Sequence, residues 1–272
     1  MASDLVPCVG GRRNTVERRW AIVEDVQRNN RLSVAELSHQ FDVSQATIRR
    51  DLAYLDQVGL LQRVHGGAQA LSLAEQTFLF DARLLQHAEV KRAIGRLAAQ
   101  LIRPGDTVFL DSGTTVLEIA RSISSELLDS GGLTVVTRSL VIACEFRTRP
   151  NTRLVLLGGM YAHDFDTFVG SKVKHALQGM HVDTLFIGTD GVTADRGMTT
   201  DNLSEVELYP VMTGCADRVV VVTDASKIGV NQLQATLSLD QIHAFITDAG
   251  APDDFVRMLR ARGIEVILAQ TP

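Results

Sequence analysis

Between residues 16 and 57, apolar side chains recur three and four positions apart, the spacing that gathers them on one face of an α-helix. In VERRWAIVEDVQRN at 16–29, Val16, Trp20, Val23 and Val26 keep that spacing, with Arg and Glu on the other side. Ser33, followed three residues later by Glu36, is a capping box opening SVAELSHQF, and Val34, Leu37 and Phe41 form the apolar face of a short second helix. Asp42-Val43-Ser44 turns the chain. Ser44 then caps a third helix, QATIRRDLAYLDQV, with Ile48, Leu52 and Leu55 inward and Gly59 placed to end it. LLQRVHGGAQAL reads as strand, Gly-Gly turn and strand.

Helix, helix, tight turn, helix and hairpin predict a winged helix-turn-helix over residues 15–70. In that layout the second helix braces the third, whose first turn can enter the major groove of DNA. Ser44, Gln45, Thr47, Arg49 and Arg50 at the start of the third helix, with Arg63 and His65 on the wing, are therefore the expected DNA contacts. Residues 1–14 are expected to form a disordered N-terminal arm. Residues 71–104 are rich in Leu, Ala, Gln and Arg, and the helical period of KRAIGRLAAQLI predicts a helical connector that Pro104-Gly105 stops.

Beyond residue 105 the pattern changes to short apolar runs (TVFL, LTVV, RLVLL, TLFIG, RVVVV, AFIT, EVIL) alternating with helical stretches. This predicts an α/β domain with a mainly parallel sheet over 105–272. In such sheets ligands gather outside the carboxyl ends of the strands. TVFL runs into Asp111-Ser112-Gly113-Thr114-Thr115 and straight into a helix, which offers backbone N–H groups and hydroxyls to an anion such as phosphate. RLVLL ends in Gly158-Gly159, TLFIG in Thr189-Asp190-Gly191, and RVVVV in Thr223-Asp224-Ala225-Ser226-Lys227. Singly, these are residues that strand ends carry for turn reasons; four at one sheet edge point to a site.

Charge changes the picture only when it is divided. The 272 residues carry a net charge of -5, which excludes a uniformly basic nucleic-acid coat. The first 70 hold nine Arg against eight acidic residues, and none of the chain's four Lys. Any attraction to DNA is then a local patch of arginine, the better fork for guanine and phosphate. Aromatic residues are 5%, too few for stacking platforms on single strands. Cys8, Cys144 and Cys215 fit neither a disulfide framework nor a thiolate metal site, and the N-terminus has no signal-length apolar stretch, so a cytoplasmic protein is expected. Neither a metal nor a cofactor is expected: His163, Asp164 and Asp166 read as a solvated loop, and nucleophile-elbow, nucleotide-loop and zinc-helix motifs are missing.

The stretch SVAELSHQFDVSQATIRRDLAYLDQVGLLQRVHGGA resembles the N-terminal signature of the DeoR family of bacterial transcription regulators. DSGTT, the Gly pair after a strand, G-x-D-G, G-x-T-T-x-N-x-x-E at 197–205 and D-x-S-K-x-G at 224–229 are similar to its sensor domain, so the resemblance runs from about residue 15 to the end. It implies a fold similar to ribose-5-phosphate isomerase, operator DNA as partner, and a phosphorylated sugar or polyol as effector. The effector contacts it implies are Asp111, Ser112, Gly113, Thr114, Thr115, Arg138, Gly158, Gly159, Asp190, Glu205 and Lys227. A homo-oligomeric repressor of a sugar or polyol operon is the function expected. Two departures fall near the site: Arg138 stands where the family often has Asn, which gives that position a phosphate contact or a salt bridge, and Tyr209-Pro210 replace a usual basic position, with Pro210 expected to interrupt the helix after Glu205. The rival is a sugar-phosphate isomerase using Asp190, Glu205, Glu207 and Lys227, but the D-G-A-D-E and K-G-G-G segments that mark the isomerase are absent, so binding without turnover is expected.

Overall fold

The computed structural model describes residues 15–57, 61–70, 80 and 83–270, apart from the side chains of Val16, Glu17, Trp20, Glu24, Gln27 and Asp164. The expected N-terminal arm, Gly59 as a helix stop and the inward role of Val16 and Trp20 lie outside the described residues. The chain divides into two compact units between Glu75 and Gln76.

The first unit holds helices α1 (Thr15–Asn29), α2 (Val34–Gln40) and α3 (Gln45–Gln57). Ile22, Val23 and Val26 of α1 meet Val34 and Leu37 of α2 and Ile48, Leu52 and Leu55 of α3 in one core. The capping box forms as the spacing predicts: Glu36 N donates to Ser33 Oγ at 3.1 Å and Ser33 N donates to Glu36 Oε2 at 2.7 Å. Strands β2 (Gln62–Val64) and β3 (Gly67–Gln69) make the wing around His65-Gly66. A third strand, β1 (Arg31–Ser33), pairs antiparallel with β3, giving the order β1-β3-β2.

In the second unit seven strands form a parallel sheet: β4 (Thr107–Leu110), β5 (Thr134–Thr137), β6 (Arg153–Leu156), β9 (Val182–Ile187), β12 (Ala216–Val222), β14 (Ala244–Asp248) and β15 (Glu265–Ala269). Their order is β15-β14-β12-β9-β4-β5-β6, with every neighbouring pair parallel. The chain winds outward from β4 to β6, then returns to β9 and winds the other way, so the switch point lies between β4 and β9. Smaller antiparallel pieces are the β7 (Met160–Ala162) and β8 (Thr167–Val169) hairpin and the sheet β10 (Gly191–Thr193), β11 (Gly197–Thr200) and β13 (Gln234–Leu237).

Alternation along the strands builds two cores. Val108, Leu110, Phe186, Val220 and Val222 face one side, with helices α4 (Ala88–Ala99), α5 (Thr114–Ser122) and α7 (Leu140–Phe146); the short α6 (Ser125–Asp129) adds Leu128. Phe109, Leu185, Ile187, Val219 and Val221 face the other, with α8 (Ser171–Leu177), α10 (Tyr209–Gly214) and α11 (Asp253–Ala261). Between them, α9 (Leu203–Val206) carries Glu205.

Two expectations are corrected here. The second half of the expected connector is a structural layer of the α/β unit, because α4 buries Ala93, Ile94 and Ala98 against the sheet and α5. Pro210 does not interrupt a helix: it sits in the first turn of α10, where its missing N–H costs no intrahelical bond.

Candidate functional site

In the reading unit, Ser44 caps α3, accepting from Thr47 N at 3.1 Å while its hydroxyl meets that of Thr47 at 2.9 Å. Gln45, Arg49 and Arg50 are exposed, with Arg49 Nη2 donating to Gln45 Oε1 at 3.1 Å one turn back. Thr47 is half-buried, and Arg63 and His65 are exposed on the wing. Of the two acids in this helix, Asp56 is exposed and accepts from Arg63 N at 2.8 Å, whereas Asp51 is buried and held by Arg18 Nε at 2.8 Å and Arg19 Nε at 2.9 Å. The guanidinium of Arg19 also lies 3.9 Å from the Tyr54 ring centroid. The carboxylate nearest the start of α3 is thus neutralised inside the unit, while Arg49 and Arg50 of that helix and Arg63 of the wing point outward.

In the α/β unit a cleft opens at the switch point, where β4, β9 and β12 end. Gly113, at φ 112°, turns the chain out of β4 so that α5 can start at once, a conformation that disfavours any side chain with a Cβ. Asp111, Ser112, Gly113, Thr114 and Thr115 all line the cleft, with Asp190 after β9, Asp224, Ser226 and Lys227 after β12, and Glu205 and Tyr209 from the far side. Asp190 is oriented by Thr200, whose hydroxyl donates to Oδ2 at 2.7 Å.

Arg138 lies beneath this cleft and does not line it. Fully buried, it donates from Nε to Asp111 Oδ1 at 2.5 Å and from Nη2 to Ser112 Oγ at 2.9 Å, with Nη1 2.8 Å from Glu205 Oε1. The last contact is an ion pair without an aligned hydrogen bond, so Glu205 Oε1 remains a buried acceptor with no hydrogen-bond donor. Burial alone would push the Arg138 pKa down, but Asp111 and Glu205 outweigh it and hold it above its ordinary value. Burial raises the Glu205 pKa; Arg138 opposes that shift, while Asp111 and Asp190 add to it. The Tyr209 hydroxyl is pushed well up by burial and by the same carboxylates. Of the two roles expected of Arg138, the phosphate contact is corrected and the salt bridge is what forms: a charge this deep positions Asp111, Ser112 and Glu205 for whatever enters above them.

Gly158 and Gly159 are also corrected, since neither lines the cleft. They follow β6, the edge strand two places out from β4, and Gly159 packs its backbone against Val169, where a Cβ would come within 2.6 Å of the carbonyl oxygen. Sequence reasoning missed Phe80, Arg83, Gln86 and His87, which close the cleft from the chain segment before α4, Lys91 in the first turn of α4, and Phe165 from the β7–β8 hairpin. The Arg83 guanidinium lies 4.6 Å from the Phe165 ring centroid. Lys91 is buried at 6% exposure. Desolvation pulls its pKa down to about 8; Asp224 and Glu118 oppose the fall, and Lys227 and Arg83 add to it. A signal existed: Lys91 tops the stripe of Ile94, Gly95 and Ala98, three, four and seven residues on.

A winged helix with outward arginines, joined to a doubly wound unit with a polar cleft at its switch point, is the build of a DNA-binding regulator that senses a small ligand. Residues 18–74 match the DeoR-like helix-turn-helix domain and residues 86–249 the DeoR C-terminal sensor domain. The chain belongs to the DeoR family and is a DNA-binding transcription regulator. It is 34% identical to a putative aga operon transcriptional repressor of Escherichia coli O157:H7, over 93% of this chain and 94% of that one. It is also 34% identical to the HTH-type transcriptional regulator GlpR of Haloferax volcanii, over 92% of this chain and 96% of that one. A solved ribose 5-phosphate isomerase A from Methanocaldococcus jannaschii is loosely similar, at 17% identity and a TM-score of 0.38 over 52% of this chain and 55% of that one. The family is one of regulators, and the isomerase reading is not favoured. Among the described residues no helix is long and apolar enough to cross a membrane.

Proposed function

We propose that this regulator represses genes of carbohydrate use and is tuned on its operator by a phosphorylated sugar or polyol bound in the α/β unit. The observation that carries this reading is the pairing of opposite chemistries across one cleft. On one side the start of α5, at Gly113 to Thr115, meets the ammonium groups of Lys91 and Lys227, a combination suited to a phosphate. On the other, the carboxylates of Asp190 and Glu205, both on the cleft wall, accept hydroxyl hydrogens. Repression as the direction of control is supported by the likeness to the putative aga operon repressor.

On DNA, Arg49, Arg50 and Gln45 read base edges, Ser44 and Thr47 fix the start of the helix against the backbone, and Arg63 and His65 of the wing meet flanking phosphates. Two copies of the chain bind a two-fold symmetric site, so the working form is at least a dimer.

Calorimetry with a panel of phosphorylated and unphosphorylated sugars and polyols tests the sensor, alongside operator affinity with and without each compound. A phosphorylated member is expected to bind and to weaken operator binding by roughly 5- to 150-fold, the usual range of coupling between sites. Binding of none, or equal binding of the unphosphorylated compounds, overturns the reading.

A further inference from the structure

Lys91 does two things at once. It lines the cleft beside Asp224 and Lys227, and its Nζ also donates to the backbone carbonyl of Arg83, eight residues back along the chain. That carbonyl belongs to the segment before α4, which is the covalent route from the reading unit into the α/β unit. A ligand anion seated at the start of α5 competes for the one ammonium that holds this carbonyl: Nζ has three hydrogens, and a full negative charge draws the group more strongly than a neutral carbonyl does.

The segment's other attachments show how it is poised. His87 starts α4 in the left-handed region, at φ 55° and ψ 33°, with no side-chain cap. A non-glycine residue holds that conformation only where its surroundings impose it. Arg83 stacks on Phe165, itself a cleft residue, while Leu85 is 77% exposed. Phe80 and Leu84 pack on the core, whereas Leu85, Gln86 and His87 are exposed, so the segment 83–87, helical to Leu85 and a turn at 86–87, is held through Arg83, Leu84 and Lys91.

We propose that Lys91 is the residue through which an anion in the cleft acts on this segment: the anion takes Nζ, the Arg83 carbonyl is released, and residues 83–87 loosen. The inference rests on the reading of the cleft as an anion site and adds its means of regulation. Lys91 acts here as a positioning residue for the segment, and an anion converts it into a ligand contact.

The bond between Arg83 and Leu84 is a trypsin site within the helical residues 83–85 and needs them to open, so its cleavage in the full chain, followed by mass spectrometry, reads the tether directly. Without ligand, Lys91→Met is expected to speed this cleavage about fivefold or more, as loss of one buried hydrogen bond enlarges the open population, while circular dichroism stays as in the parent. Lys91→Arg, which keeps a donor, is expected to stay slow. Inorganic phosphate or the sugar phosphate that calorimetry shows to bind is expected to speed cleavage in the parent and to leave Lys91→Met unchanged. Slow cleavage in a folded Lys91→Met chain overturns the proposal, as does parent cleavage that ignores a bound anion. Should no phosphorylated probe bind, the anion reading of the cleft falls and this one with it; calorimetry separates that failure from the other two.

Discussion

Each unit buries one aspartate under arginine, but the two spend the arrangement differently. In the reading unit Asp51 is held by Arg18 and Arg19 of α1, which leaves Arg49, Arg50 and Arg63 in water. In the α/β unit Arg138 is itself buried, shared between Asp111 and Glu205, and the cleft above it presents lysines. The difference follows from the partner. DNA offers a long row of phosphates in high dielectric, where exposed guanidinium groups exchange with counterions and gain little from being fixed. A small ligand offers one or two charges in a sheltered cleft, where groups already desolvated and oriented lose less on binding.

The largest expected effect comes from breaking the buried cluster. Arg138→Met leaves Asp111 and Glu205 buried without their cation, which is expected to cost about 3–5 kcal/mol of stability. Chemical unfolding of the variant and the parent measures it. Carboxylates stranded in this way have folded pKa values raised above the unfolded ones, so the folded form favours their protonated state. The deficit should therefore shrink as pH falls through the carboxylate range and persist in full above it. A loss under about 1 kcal/mol, or one independent of pH, would mean that water reaches the cluster and that Arg138 is no organiser of the cleft.

Exposed arginines give the smaller counterpart. Arg50→Ala should leave stability nearly unchanged and weaken operator binding by about 1–3 kcal/mol if the side chain reads a base. A phosphate contact would instead lower the salt slope by about one, equally on all sequences. Binding isotherms at several salt concentrations on operator and unrelated DNA separate the two outcomes. Unchanged affinity everywhere would remove α3 from the interface.

What was legible in the sequence was whatever is decided locally. The capping box at Ser33 and Glu36, the inward stripe of Ile48, Leu52 and Leu55, and the turn from β4 into α5 each depend on a few neighbouring residues. Strand β1 escaped because three residues between two helices carry no period, and its pairing with β3 is a contact 34 to 38 residues away in the chain. Gly158-Gly159 looked like the other strand ends, but only the sheet order shows β6 to be two places from the switch point. From its place after β5 Arg138 reads equally as a phosphate contact or a salt bridge, and what decides for the salt bridge is the arrival of Asp111 and Glu205 from other parts of the chain. Lys91 was hidden by an assumption, since a helix taken for a connector was given no core to face.

Lys91 also supplies the gentlest test of the contrast between exposed and sheltered charge. In the empty cleft its pKa is drawn down to about 8, chiefly by desolvation, with Asp224 and Glu118 acting against the fall and Lys227 and Arg83 with it. An anion bound beside it adds negative charge and must raise that value. Below pH 8 the ammonium is charged in both empty and loaded forms, so ligand affinity should hardly respond to it. Above that, the empty form loses its proton while the loaded form keeps it, so binding takes up a proton and affinity falls by at most ~10-fold per pH unit. Calorimetry from about pH 7 to about pH 9, in buffers of differing ionisation enthalpy, counts the proton directly. Lys91→Arg, whose guanidinium stays charged over this range, should bind with a flat profile. The arginines of the reading unit should be equally indifferent, so operator affinity without effector should not follow the same curve. A proton count of zero above pH 8 in the parent chain would show that Lys91 does not meet the anion.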